Sequence, residues 1–167
     1  MSIFYKRSAI KYPIAGTGRV TTEIPSPAAC STCYNVNMKT YLNPKNFTGR
    51  TGAYSDGVKI SIGDKEMIFV TGQIAKDEKG NAVAPENIQV QTRFVFENIK
   101  KILAEGSASI DDVVKAVIYV TDISKYKEIS AIRNEYFKNA KPVSTLVEIN
   151  KTIKEGCDIE IEVIAVR

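Results

Sequence analysis

The sequence predicts an α+β fold, a mixed β-sheet with two helices on one of its faces. Three observations lead to it. Five stretches read as strands, either by alternation of apolar and polar residues or as β-branched runs. Two longer stretches carry apolar residues at helical spacing. Their order along the chain is β-β-α-β-α-β-β, which layers two helices against one sheet and leaves the opposite face to solvent or to assembly. That face carries apolar residues from several strands, so assembly is expected, and closed cyclic symmetry is its usual form.

The length suits one domain with an N-terminal arm, and residues 1–50 are only weakly periodic. The arm is broken by Pro13, Gly16, Gly18, Pro25 and Pro27 and is expected to be irregular. Its end, Tyr34–Leu42, alternates Tyr34, Val36, Met38 and Thr40 with polar residues, as an edge strand does. From Gly57, Val58, Ile60 and Ile62 alternate with Lys59 and Ser61 in a half-buried strand, and Gly63-Asp64 makes the turn. Glu66–Thr71 is nearly all apolar, as a central strand is, and ends at Gly72-Gln73, where glycine admits a ligand or another backbone.

A helix is expected from Pro85 to Glu105. Proline suits a first helical position, Ile88, Val95, Ile99 and Ile102 recur at helical spacing, and Gly106 caps the end. Ser109-Ile-Asp-Asp112 resembles a short capped turn. Val113–Thr121 is β-branched and reads as a strand. Ser124–Phe137 is the second helix, with Ile129, Ile132, Tyr136 and Phe137 inward, and Pro142 closes it. The last two strands are Val143–Asn150 and Asp158–Arg167. In the final strand Ile159, Ile161, Val163 and Ala165 share a face, while Glu160 and Glu162 lie opposite and are followed there by Ile164 and Val166. A carboxylate face that runs into an apolar half is expected to be partly covered.

Composition excludes several classes of function. At 44% hydrophobic and 25% charged, the chain is an ordinary globular one. It has no apolar run near the ~20 residues of a membrane helix, and no signal-peptide core. Three cysteines make no closed disulfide set, which points to the cytoplasm. The absence of histidine removes Ser-His and Cys-His pairs and most zinc sites, so no metal site is expected. Cys30-Ser-Thr-Cys33 has redox or metal spacing, but only Cys157 remains as a further soft ligand, so the pair reads as structural or incidental. The net charge of +4 is concentrated in residues 1–50, where seven cations face Glu23 alone. The cations are scattered and form no run, which fits a solubilising surface or a subunit contact better than a nucleic-acid site.

Particular words of the sequence resemble a known family. Gly52-Ala-Tyr-Ser-Asp-Gly-Val58, Phe69-Val-Thr-Gly-Gln-Ile74, Gln91-Thr-Arg-Phe-Val-Phe-Glu-Asn-Ile99, Asp112–Ile123, Pro142–Ile149 and Ile159–Val166 resemble the Rid family in order and spacing. This is the RidA/YjgF type, formerly known as L-PSP endoribonucleases or translation inhibitors. The resemblance covers about residues 43–167, which it makes a Rid-type domain, and leaves residues 1–42 as an added arm. It implies a chorismate-mutase-like sandwich and a homotrimer with small-molecule clefts between subunits. It also implies hydrolysis of reactive imines and enamines to a keto acid and ammonia, without cofactor.

Carried onto this sequence, the resemblance makes Glu160 the group that positions the hydrolytic water, and Tyr54, Thr71 and Gly72 part of the cleft lining. The family's carboxylate-gripping arginine is absent. Pro142-Val-Ser-Thr-Leu-Val-Glu148 puts Ser144 in its place, Leu146 where a cysteine is common, and Ser130 where the second helix often has asparagine. A serine supplies one neutral donor where arginine supplies a fixed cationic fork. Three readings follow: an imine or enamine hydrolase of altered substrate choice, a site whose cation comes from elsewhere such as Arg50 or a neighbouring subunit, or a trimer that binds a small metabolite without turnover. Older family names and the basic arm suggest ribonuclease activity, but no aromatic-basic platform supports it.

Overall fold

The computed structural model describes residues 39–45, 47, 50 and 52–167, all within the compact unit Val36–Arg167. Residues 1–38, with Cys30, Cys33 and most of the arm, lie outside the described residues. The elements are β1 (Lys39–Leu42), β2 (Gly57–Ile62), β3 (Lys65–Ile74), α1 (Ile88–Glu105), β4 (Val113–Val120), α2 (Tyr126–Tyr136), β5 (Val143–Glu148) and β6 (Ile159–Val166). The six strands form one sheet in the order β1-β2-β3-β6-β4-β5. All pairs are antiparallel except β4–β5, whose parallel pairing needs the crossover through α2. The sheet is the expected mixed one, and β1 supplies the last part of the expected edge strand, within the stretch assigned to the arm.

The last strand enters the centre of the sheet. The final two strands do not pair with each other, because β4 lies between β5 and β6. In β6 the residues Ile159, Ile161, Val163 and Ala165 are buried under the helices, while Glu160, Glu162, Ile164 and Val166 are half-buried on the opposite, open face. Phe96 locks the helices together: it is fully buried, its ring stacks on Tyr136 at 4.5 Å, and it meets Phe137 edge-on at 5.2 Å. The open face carries Phe69, Val143 and Val147 as exposed apolar side chains.

Three boundaries depart from the sequence reading. Helix α1 begins at Ile88 rather than Pro85, since Pro85 sits in a turn between Ala84 (φ 44°) and Glu86 (φ 68°). Asn87 caps the helix instead, its side chain accepting from the Val90 N–H. The stretch before α2 is a short 3₁₀ turn, Ile123–Lys125, started by the Asp122 side chain. Strand β3 does not end at Gly72-Gln73 but runs to Ile74 through a bulge. Between Val70, paired with Val163, and Gln73, paired with Ile161, the strand holds one residue more than its partner. The bulge reverses the alternation: Ile68 and Val70 are buried before it, Gln73 and Ala75 after it. The capped turn is present as expected, with Ser109 and Asp112 bonding each other's backbone.

Candidate functional site

The bulge and β6 together build a cleft on the open face. It has a volume of roughly 730 Å3, and Tyr54, Thr71, Gly72 and Glu160 all line it. Two flanking antiparallel strands hold Glu160: it pairs with Ile74 of β3 on one side and Tyr119 of β4 on the other. The bulge brings Gly72 directly over its carboxylate. A Cβ built at Gly72 would lie 1.9 Å from Glu160 Oε1 and 2.8 Å from its Cδ. A side chain there would push the carboxylate aside, so the glycine serves close approach rather than its backbone angles. Tyr54 is half exposed at the rim, and the backbone N–H of Thr71 donates to the Asp56 carbonyl at 3.0 Å.

The Glu160 side chain makes no hydrogen bond or ion pair with any described residue. Burial, and then the neighbouring charge of Glu162, push its carboxyl above the usual carboxylate range. A carboxylate with a raised pKa and free lone pairs at the floor of a cleft can bind a water and take its proton. Tyr119 belongs to the same patch. Burial first, then Glu162 and Glu160, push its phenol up.

Ser144 and Leu146 are not part of this cleft within one chain. They lie on β5, two strands from β6, and on the opposite face: they pair with the buried Ala116 and Ile118, whereas Glu160 pairs with Tyr119 on the open face. Leu146 packs against the core. Ser144 is exposed and lines a separate shallow hollow with Arg133, Lys138 and Lys141. Ser130, buried on α2, has no hydrogen-bond partner for its hydroxyl among the described residues. Arg50 is not a free replacement cation, because its guanidinium meets the buried carboxylate of Asp56 at 2.5 Å.

Sequence reasoning missed Tyr119, Ile153 and Lys154. Alternation along β4 was a signal for Tyr119, which falls out of phase with buried Ala116, Ile118 and Val120. Ile153 and Lys154 line the cleft from the segment between β5 and β6. An isoleucine among lysines in a connecting loop was the available hint.

Among the described residues, no helix is long and apolar enough to cross a membrane. The Endoribonuclease L-PSP family model matches residues 46–167. A RutC family protein of Pyrococcus abyssi is 38% identical over 114 residues, covering 68% of this chain and 86% of that protein. A Rid family protein of Yersinia pestis, YyfA, superposes with a TM-score of 0.68 at 30% identity, over 76% of this chain and 98% of its own. Escherichia coli TdcF, named as a candidate reactive intermediate deaminase and solved with bound serine, superposes with a TM-score of 0.65 at 26% identity, over 77% of this chain and 98% of its own.

Proposed function

Because the chain belongs to the Endoribonuclease L-PSP family, the Rid group of proteins, we propose that its cleft hydrolyses the C=N bond of a small reactive imine, or of the enamine that tautomerises to it. The observation that carries this reading is the Glu160 carboxylate, seated on Gly72, unpartnered among the described residues and poised by burial to accept a proton.

The chemistry needs one acid-base group and one water. Glu160 takes a proton from the water as its oxygen bonds to the imine carbon, and the C=N electron pair moves to nitrogen. Glu160 then returns the proton to the nitrogen of the carbinolamine. Glu160 next takes the proton of the carbinolamine hydroxyl and passes it to the amino nitrogen, so that the C–N bond breaks, the carbonyl forms and ammonia leaves. Thr71 and the bulge backbone form one wall of the cleft and Tyr54 its rim. The exposed apolar residues of the open face, Phe69, Val143 and Val147, support assembly as a homotrimer. In it, the exposed Ser144 of one copy would be brought to the Glu160 cleft of the next, while Leu146 stays packed on its own core.

Two measurements test the reading. Sedimentation is expected to give three times the chain mass. Ammonia release from amino-acid-derived imines is expected to fall at least ~100-fold in Glu160→Gln. Equal release by wild type, variant and buffer overturns the enzymatic reading. It would leave binding without turnover, which the neutral Ser144 at the arginine's place favours.

A further inference from the structure

We propose that Lys154 is the residue that holds the anionic group of the ligand in the Glu160 cleft. The inference rests on the reading of that cleft given above and adds the source of its positive charge. Two sources within the chain are closed. Position 144 is a neutral serine, and Arg50 is occupied by Asp56. Of the other cations lining the cleft, Lys76 and Lys79 belong to a turn that also carries Asp77 and Glu78. Lys154 differs. Its side chain is half-buried and pairs with no described acid, and its acidic neighbours in sequence, Glu155 and Asp158, do not line the cleft.

Its mount is built with unusual care for a connecting loop. Thr152 is 8% exposed, and its hydroxyl lies 3.0 Å from the carbonyl of Lys154 and 2.7 Å from that of Cys157. The Cys157 N–H donates to the same Lys154 carbonyl at 3.1 Å. Fully buried Gln91 of α1 donates to the Gly156 carbonyl and accepts from the Asp158 N–H, both at 2.7 Å. Two buried side chains, Thr152 and Gln91, thus fix a short surface segment, and a fixed mount removes much of the ordering cost of binding. The same segment puts Ile153 on the cleft, 93% exposed. An ammonium and an exposed isoleucine lining a hollow that Glu160 also lines suit a short-chain carboxylate with an apolar substituent.

The test is a calorimetric titration of the full-length wild type, Lys154→Gln and Lys154→Arg with 2-oxobutanoate, a carboxylate with no bond to hydrolyse, and with its uncharged amide. Lys154→Gln is expected to weaken 2-oxobutanoate about tenfold. Lys154→Arg keeps the charge and is expected to retain most of the affinity. The amide should bind all three proteins equally and weakly. Equal affinity of 2-oxobutanoate for wild type and Lys154→Gln, or no binding by wild type, overturns the proposal. The two readings fail separately. If wild type releases no ammonia yet binds 2-oxobutanoate in a Lys154-dependent way, hydrolysis falls and the anchor stands. If turnover depends on Glu160 while Lys154→Gln keeps both affinity and KM, the anchor falls.

Discussion

Strands β6 and β5 lie on either side of β4 and differ sharply in burial. Along β6 buried and half-buried residues alternate without a break, while along β5 every residue but Leu146 is exposed. The cause is position in the sheet. β6 is hydrogen-bonded on both sides, to β3 and β4, and β5 on one side only, to β4. A strand with two neighbours fixes its side chains without help, so Glu160 has its place within one chain. An edge strand supplies half a surface, and Ser144 depends on whatever covers it.

Removing core volume from each strand is the strongest way to break this contrast. Ile161→Ala in β6 is expected to cost 2–5 kcal/mol, about what emptying a fully buried site costs, at any protein concentration. Val147→Ala in β5 should cost below ~1 kcal/mol in dilute solution and more as copies associate. Denaturant titrations at two protein concentrations check both, and a β5 cost that ignores concentration would count against assembly through this face.

Next in size is Gly72→Ala. The added methyl drives the Glu160 carboxylate from its seat, a displacement of an ångström or more, and turnover is expected to drop about 100-fold. Gly72 has no left-handed φ, so the melting temperature should barely move. Unchanged turnover would mean that the seat is irrelevant to the reaction.

The smallest expected effect is in pH dependence. Folding raises the Glu160 pKa, so the native state holds this proton more tightly than the unfolded chain. Its contribution is therefore fully present below the unfolded pKa and is lost as pH rises through the folded one. Glu160→Gln is expected to raise the melting temperature at pH 7 by about 1 °C, with the gain vanishing near pH 4. Turnover should instead rise with pH through the same raised pKa, because the ionised form accepts the proton.

The alternation of Ile159–Val166 was enough to place Glu160 and Glu162 on one face and to expect partial cover. The helical spacing in 88–103 likewise found the core side of α1. What composition could not reveal was phase. One extra residue in β3 turns Gly72 toward Glu160, and no local preference of Val70-Thr71-Gly72-Gln73 announces which neighbour will be one residue short. The start of α1 was misplaced because proline is at home both in a first helical turn and in the tight turn before it, and Asn87 was the stronger cap. Ile153 and Lys154 escaped notice because a loop's role depends on what pins it. Here the pin is Gln91, more than sixty residues away in sequence.

The strand that sits in the middle of the sheet is also the last of the six to emerge from the ribosome. Until it does, β1-β2-β3 and β4-β5 have no hydrogen bonds to each other, and β3 and β4 each present a bare edge to the surroundings. A nascent chain stalled before Ile159 would hold two unjoined fragments rather than a partial domain. Folding then waits for the closing insertion, which couples the appearance of the Glu160 carboxylate to the completion of the whole sheet.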